Sequence, residues 1–196
     1  KSSLLNRIVG REAAIVSTEE GTTRDIVDVG VDIGGWYCKL GDMAGIRSEP
    51  NDPTGQKKTV VIGAVEQEGI RRAKARALES DVVIVVVSVE EATDGTATYR
   101  LAVEQEVVDA ANDCARAGKC VVVTINKCDR LPEGKLPAQL IETVSQLFKA
   151  APDQRQRIFG ISCLDATNGL NLTSPGSSQL SDPGYIQQFL QGLMTT

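Results

Sequence analysis

The sequence predicts an α/β fold whose sheet is mostly parallel and is covered by helices on both faces. Continuous Val and Ile runs, the longest of which is "VVIVVV" at 82–87, alternate with helical patterns along the chain. Strands that are buried on both faces read as such unbroken apolar runs, and parallel strands need helical crossovers. The chain has 196 residues, which is the length of one domain with an ordinary core.

The order of the elements fits this three-layer architecture. Helices are predicted at 3–10, about 63–79, about 99–117, about 136–150 and 185–194. Strands are predicted at 26–33, 36–42, 81–89, 120–127 and 157–162, the first two joined at a glycine pair of the kind that hairpins use. In such sheets ligands bind at the carboxyl ends of the strands, where the motifs described below fall.

Composition excludes several classes of function. The net charge of -5 argues against a main binder of nucleic-acid phosphates, because such surfaces are basic. The sequence contains no histidine, which excludes Ser-His and Cys-His catalysis and most zinc hydrolases. The five cysteines are scattered without metal-ligand spacing, which fits a reducing compartment. The longest apolar run is too short to span a bilayer, so we expect no membrane partner.

The first residues, "KSS", read as the end of a phosphate-binding loop that leads into a helix. In this interpretation Lys1 contacts phosphate, Ser2 ligates Mg²⁺ through its hydroxyl, and Ser3 is a further contact. An ordinary surface lysine is the alternative for Lys1. The opening residues alone do not decide between the two.

Two polar stretches, "GTTRD" at 21–25 and "DMAG" at 42–45, add candidate ligands. Thr22 and Thr23 offer hydroxyl and backbone groups to a phosphate or its Mg²⁺. Asp42 can hold a Mg²⁺ water, and the Gly45 amide can reach a terminal phosphate. Taken alone, the first stretch is better explained as a turn, and the second recurs by chance in many proteins.

The stretches "INKCD" at 125–129 and "GISCL" at 160–164 end two predicted strands. The Asp129 carboxylate can accept hydrogen bonds from N1 and N2 of guanine, a pair of donors that adenine lacks. Asn126 would tie loops together, and the Lys127 stem would lie along the base. Backbone amides of Ser162 and Cys163 would meet the guanine O6.

The order of these motifs, each at its own strand, argues against coincidence. The sequence therefore predicts a GTP-binding domain with Mg²⁺: a three-layer P-loop GTPase, or Ras-like G domain, with the first strand of the sheet missing. Ile46 occupies the position after DxxG at which Ras-type sites carry a water-positioning glutamine. Another polar group must therefore assist hydrolysis.

Several stretches resemble the G domain of the MnmE (TrmE) family of tRNA-modification GTPases: "SLLN", "GREAAIVS", "GTTRD", "DMAGIR" and "VEQEGIRRAKARALESDVVIVVV". The resemblance covers nearly the whole chain apart from 48–60 and 171–184. GTTRD and a DTAG-like step also occur in the ribosome-assembly GTPases Der and Era. The segment 66–73 is what favours the MnmE family.

The resemblance implies a catalytic arrangement. A glutamate of this family orients the attacking water, and by alignment it falls on Glu66, or on Glu68 if the gap is placed differently. A bound K⁺ would replace an arginine finger in the loop at 17–22, where Ser17, Glu19 and Thr22 are the candidate ligands. The asparagine that the family also uses would lie upstream of Lys1.

The resemblance also implies domains and partners. Residues 1–196 would be one G-domain fragment, with a phosphate loop truncated at Lys1, an insertion at 171–184 and a C-terminal end leading toward a helical domain. Two G domains would pair as a homodimer, an MnmG-type FAD protein would be a partner, and tRNA would bind through other domains. The polar insertions indicate a mitochondrial protein of a eukaryote; otherwise we expect a cytoplasmic one.

Two other functions are compatible with the sequence. One is a ribosome-assembly GTPase of the Der or Era type, and the other is a non-hydrolysing interaction module that senses GTP. The glycine amides that should precede Lys1 are not in the sequence, so the backbone nest for the β-phosphate would be open. We therefore expect this chain alone to bind GTP poorly or not at all.

Overall fold

A computed structural model describes residues 2–12, 28–41, 64–92, 99–149, 157–166 and 182–195. The helices are α1 (Ser2–Glu12), α2 (Ala64–Glu79), α3 (Gln105–Arg116), α4 (Ala138–Leu147) and α5 (Ile186–Met194). The strands are β1 (Asp28–Ile33), β2 (Trp36–Gly41), β3 (Val82–Glu91), β4 (Tyr99–Ala102), β5 (Cys120–Asn126) and β6 (Ile158–Gly160). None of the described helices is long and apolar enough to cross a membrane.

The central sheet has four strands in the order β4-β3-β5-β6. β3 and β5 run parallel, with Val82 opposite Cys120 and Ser88 opposite Asn126. β6 is parallel to β5, whereas β4 is antiparallel to β3. The carboxyl ends of β5 and β6 therefore lie side by side, where the sequence predicted a site.

Alternate residues of β5 enter two apolar cores, one on each face of the sheet. Val121, Val123 and Ile125 pack with α3 and α4 in one core, and Val122 packs with α1 and α5 in the other. All four side chains are at most 1% exposed. Burial on both faces explains the apolar run at 121–123 in β5, and each such side chain stabilises the fold by about 1.5–3 kcal/mol.

The prediction of a helix over about 99–117 is wrong at its start. Tyr99–Ala102 form β4, and α3 begins only at Gln105. β4 pairs with the end of β3, where Arg100 lies opposite Glu90 and forms an ion pair of 3.5 Å. Cross-strand pairing decides this segment, because Arg, Leu and Ala are good helix formers in isolation.

β1 and β2 form a separate antiparallel hairpin that turns at the predicted glycine pair. Gly34 and Gly35 have φ angles of 59° and 89°, which glycine adopts without steric cost. The Asp32 carboxylate accepts a hydrogen bond of 2.8 Å from the Gly35 N–H. Val31 and Ile33 are buried in the core that contains α1, so the hairpin is fixed to the α1 side of the sheet.

A cavity of about 140 Å³ lies between this hairpin, the helices α1 to α3 and β3. Its lining is mostly apolar and includes Leu4, Leu40, Ala77 and Val85. Within the described residues, no strand pairs with Val82–Val87 on the side of β3 opposite β5. The arrangement agrees with the predicted mostly parallel sheet.

Candidate functional site

The chain reverses direction directly after β5. Lys127 has φ 68° and ψ 32°, a left-handed conformation that is uncommon for a residue with a side chain. Asn126 Oδ1 supports the reversal by accepting the Lys127 N–H at 2.7 Å. The same oxygen accepts the Cys163 N–H at 3.2 Å. Asn126 thus ties the loop after β5 to the loop after β6, as the sequence predicted.

Asp129 lies in a 3₁₀ turn at Cys128–Arg130 and is half-buried. The Ser162 hydroxyl donates a hydrogen bond of 2.7 Å to Asp129 Oδ1. In the described parts of the chain, Asp129 Oδ2 has no hydrogen-bond partner. A carboxylate that is oriented through one oxygen keeps acceptor capacity for a ligand with two adjacent donors.

The backbone amides of Ser162 and Cys163 are not arranged as the sequence predicted. The Ser162 N–H donates to the Gly184 carbonyl at 3.0 Å, and the Cys163 N–H is bonded to Asn126. The Ser162 amide is therefore committed to the protein, because an N–H has a single proton to donate. Ser162 instead contacts the candidate site through its hydroxyl, which donates to Asp129 and orients that carboxylate.

The opposite end of the candidate site is the N-terminus of α1. Ser2 and Ser3 are exposed in the first turn of this helix, and that turn contains no acidic residue. A helix N-terminus carries partial positive charge and N–H groups that suit a phosphate. Leu4 and Ile8 pack in one core with Cys163, so α1 is held next to the loop that follows β6.

Other predicted site residues fall outside the described ranges. They are Lys1, Ser17, Glu19, Thr22, Thr23, Asp42 and Gly45. Glu66 and Glu68 lie near the start of α2, which begins at Ala64. Within the described residues, no group of three or more Cys, Asp and Glu side chains forms a metal site.

Two thiols at the site have raised pKa values. Burial raises the pKa of Cys128 to about 11, against an opposing hydrogen bond with the Ile161 backbone. The Cys128 Sγ also donates to the Ile125 carbonyl at 3.2 Å. Burial likewise raises the pKa of Cys163, although Arg7 and Asn126 lower it in part. Both thiols are therefore neutral at physiological pH and unsuited to nucleophilic chemistry.

Sequence reasoning missed the turn that precedes α5. It assigned 171–184 to an insertion, whereas the Asp182 carboxylate caps α5 by accepting the N–H groups of Gln187 at 2.9 Å and Gln188 at 2.8 Å. Gly184 belongs to the same turn and bonds Ser162. The signal was present as Asp-Pro ahead of a helical pattern, which is typical of a helix start.

Comparison with known proteins identifies a matching family and relatives of this chain. A family model described as 50S ribosome-binding GTPase matches residues 1–127. The tRNA modification GTPase MnmE of Parvibaculum lavamentivorans is 53% identical over 88 residues, which cover 45% of this chain and 17% of that protein. The MnmE of Rhodospirillum rubrum is 40% identical over 169 residues, which cover 81% of this chain and 31% of that protein. The chain thus spans less than a third of the length of either relative.

Two solved structures share the fold. A crystal structure described as a probable GTP-binding protein engB has a TM-score of 0.54 and 13% identity, and the match covers 100% of this chain and 90% of that chain. Era, solved with MgGDPNP and nucleotides of 16S ribosomal RNA, has a TM-score of 0.53 and 21% identity, over 92% of this chain and 55% of that chain. At these identities the likeness shows the fold alone, and it confirms the predicted fold class. The relatives confirm the resemblance that the motifs predicted.

Proposed function

This chain belongs to the family described as 50S ribosome-binding GTPases, and we propose that it binds GTP and hydrolyses it to GDP and phosphate as the G domain of a tRNA-modifying protein. The observation that carries the proposal is the Asp129 carboxylate, which Ser162 orients where two parallel strands end. The relatives named tRNA modification GTPase MnmE support the tRNA context. Modification of the wobble uridine is the reaction that we propose the domain drives.

Guanine selectivity would follow from the positions of donors and acceptors. Guanine presents N1–H and N2–H₂ next to each other, whereas adenine has an acceptor at N1. Asp129 would accept from both guanine donors, because its orientation is set by Ser162 and its Oδ2 faces no partner among the described residues. The Lys127 stem and the Cys163 backbone would border the base, with Asn126 holding their loops together.

The phosphates would lie at the N-terminus of α1. The residues that would contact them or their metal ion are Lys1, Ser2, Ser3, Thr22, Thr23, Asp42 and Gly45. Of these, Ser2, Thr23 and Asp42 would hold Mg²⁺, which suits hard oxygen ligands and neutralises phosphate charge. The exposed start of α1, without a competing carboxylate in its first turn, fits this role.

Hydrolysis requires a water that attacks the γ-phosphorus in line with the β–γ bridging oxygen. The new P–O bond forms as the bond to the bridging oxygen breaks, GDP leaves with the electron pair, and the proton of the water passes to the phosphate product. Glu66, near the start of α2, would orient this water, and Glu68 is the alternative. A carboxylate is suited to this task, because it accepts a hydrogen bond from the attacking water.

Positive charge at the phosphates would come from a K⁺ held by the loop at 17–22, with Ser17, Glu19 and Thr22 as candidate ligands. We propose that this loop becomes complete when two G domains pair across the nucleotide. An MnmG-type FAD protein and tRNA would bind to other parts of the protein. The relatives described above are bacterial, and a mitochondrial location stays a prediction.

Base recognition is tested by the Asp129→Asn variant. The amide keeps the shape of the side chain but replaces one acceptor by a donor, so GTP affinity should fall about 10- to 100-fold. Affinity for xanthosine triphosphate should rise, because xanthine has an acceptor at position 2. Asp113→Asn, at an exposed position of α3, is the matched control. Equal GTP affinity of the two variants would contradict the proposal.

Catalysis is tested by Glu66→Ala and Glu68→Ala in single-turnover assays. Substitution of the residue that orients the water should abolish turnover while GTP binding is retained. The other variant should keep most of the activity. Hydrolysis by the intact protein should be faster in K⁺ than in Na⁺. Equal rates in the two salts would exclude the K⁺ role, and binding without any turnover would leave a non-hydrolysing GTP sensor.

The description of the matching family favours one alternative, a ribosome-assembly GTPase of the Der or Era type. Sedimentation with 50S subunits in the presence of GTP separates the two functions. Co-sedimentation together with normal wobble-uridine modification in a strain lacking the gene would favour ribosome assembly. Loss of the modification would favour the tRNA role.

A further inference from the structure

Ser162 connects three loops through its backbone and its hydroxyl. Its Oγ donates to Asp129 at 2.7 Å and accepts the Asp165 N–H at 3.0 Å. Its N–H donates to the Gly184 carbonyl at 3.0 Å, and its own carbonyl accepts the Ala166 N–H at 3.1 Å. Ser162 is only 2% exposed, so these bonds are at least partly shielded from competing water.

The Gly184 position admits no side chain. Gly184 has φ 78°, in the left-handed region where residues other than glycine are strained. A Cβ atom there would clash with the Ser162 carbonyl oxygen and would lie 2.9 Å from the Ala166 nitrogen. These atoms belong to backbone and cannot move aside as a flexible side chain would. A substitution at Gly184 therefore displaces the Ser162 loop.

The turn that carries Gly184 is itself anchored. The Asp182 carboxylate accepts two N–H groups of α5, and the Asp182 carbonyl accepts the Tyr185 N–H at 3.1 Å. Below the turn, Ile186 and Phe189 of α5 are 0% exposed. They pack in the same core as Ala166, so the turn and the Ser162 loop share one support.

We propose that the turn at 182–185 sets guanine selectivity at a distance, with Gly184 as a positioning residue that holds Ser162 and thereby the Asp129 carboxylate. The inference rests on the proposed function, because it requires Asp129 to recognise the base. The continuous chain of hydrogen bonds from Gly184 through Ser162 to Asp129 carries it. A displaced Ser162 would leave Asp129 free to rotate away from the guanine donors.

The test compares GDP with inosine diphosphate, whose base lacks the 2-amino group. The ratio of the two affinities in the intact protein reports the hydrogen bond between Asp129 and N2. If Gly184 had a merely structural role, its substitution would leave this ratio unchanged. Gly184→Ala should weaken GDP binding about tenfold or more and bring the ratio close to one. Gly118→Ala is the matched control, because Gly118 has φ 79° with open space around it. It should keep the wild-type ratio.

Asp182→Ala provides a second test of the inference if Gly184→Ala does not fold. This variant removes the cap without introducing a clash, and it should lower the GDP preference to an intermediate value. A wild-type ratio in folded Gly184→Ala, or in Asp182→Ala if only that variant folds, would overturn the inference. A wild-type protein without any GDP preference would instead overturn the proposed role of Asp129, so the two failures are distinguishable.

Discussion

The Ser162 hydroxyl donates a hydrogen bond of 2.7 Å to the Asp129 carboxylate across 33 residues of sequence. The bond joins the loop after β5 to the loop after β6. Hydrogen bonds to a charged acceptor are stronger than those between neutral groups, and this one is partly shielded from solvent. The orientation of the carboxylate is therefore a property of the tertiary structure.

Loss of this bond should weaken nucleotide binding. Ser162→Ala leaves Asp129 without its partner, and we expect a decrease in guanine-nucleotide affinity of about 10- to 100-fold, measured by titration calorimetry. Ser145→Ala is a suitable control, because the Ser145 hydroxyl donates to the Ile141 carbonyl of its own helix. If both variants bind equally well, Ser162 does not orient the carboxylate.

Lys127 should show opposite effects on stability and binding. Its left-handed φ of 68° costs about 1–2 kcal/mol for a residue with a side chain. Lys127→Gly removes that strain at an entropic cost of about 0.5–1 kcal/mol, so the free energy of unfolding should rise by about 1 kcal/mol or less. GTP affinity should fall, because the alkyl stem is lost.

Lys135→Gly provides the comparison for this variant. Lys135 has φ -94°, an ordinary conformation in which a glycine relieves no backbone strain and adds an entropic cost. Urea unfolding should therefore show a decrease in stability for Lys135→Gly. A decrease of the same size for Lys127→Gly would show that its conformation carries no strain.

The Cys128 thiol should make stability depend on pH in the alkaline range. Burial raises its pKa from 9.0 to about 11, so the unfolded chain loses the proton first. The resulting stabilisation is fully present below pH 9 and is lost as the pH rises from 9 to 11. Urea unfolding at intervals across this range should show a steeper decline for the wild type than for Cys128→Ala. Parallel curves would contradict the assignment.

Phe189 should be a large contributor to stability. Its ring is 0% exposed and contacts Phe159 edge to face, with ring centres 5.5 Å apart. Phe189→Ala leaves a cavity under the Ser162 loop and should lower the free energy of unfolding by about 3–5 kcal/mol. Leu164→Ala changes a side chain that is 57% exposed and should stay within about 0.5 kcal/mol of the wild type.

Elements buried on both faces could be predicted well from the sequence. β5 and most of β3 are rich in Val and Ile, because each face of the sheet has its own core. The hairpin was predictable from Gly34 and Gly35. β4 was not, because Tyr99–Ala102 have no strand pattern of their own and become a strand by pairing with β3.

The candidate site likewise contains features that the local sequence predicts and features that depend on the tertiary structure. The positions of Asn126 at the end of β5 and of Asp129 in the turn after it were predictable from a short local motif, and their contact with guanine stays a prediction. The amide of Ser162 was assigned to a ligand, but it bonds Gly184, a residue that the sequence placed in an insertion. No local pattern predicts a hydrogen bond between two segments that meet only in the folded chain.

The sequence alone determined the alternation of buried strands with amphipathic helices, and it also determined the residue types at the strand ends. Both follow from the sequence because periodicity and side-chain chemistry are local properties. Only the tertiary structure decided which groups remain available for a ligand. The Asp129 carboxylate is oriented by Ser162, and Ser162 is held by Gly184, over distances of about 3 Å. Such distances depend on how the loops after β5 and β6 pack against α5, and hydrogen-bond strength falls steeply when that packing changes.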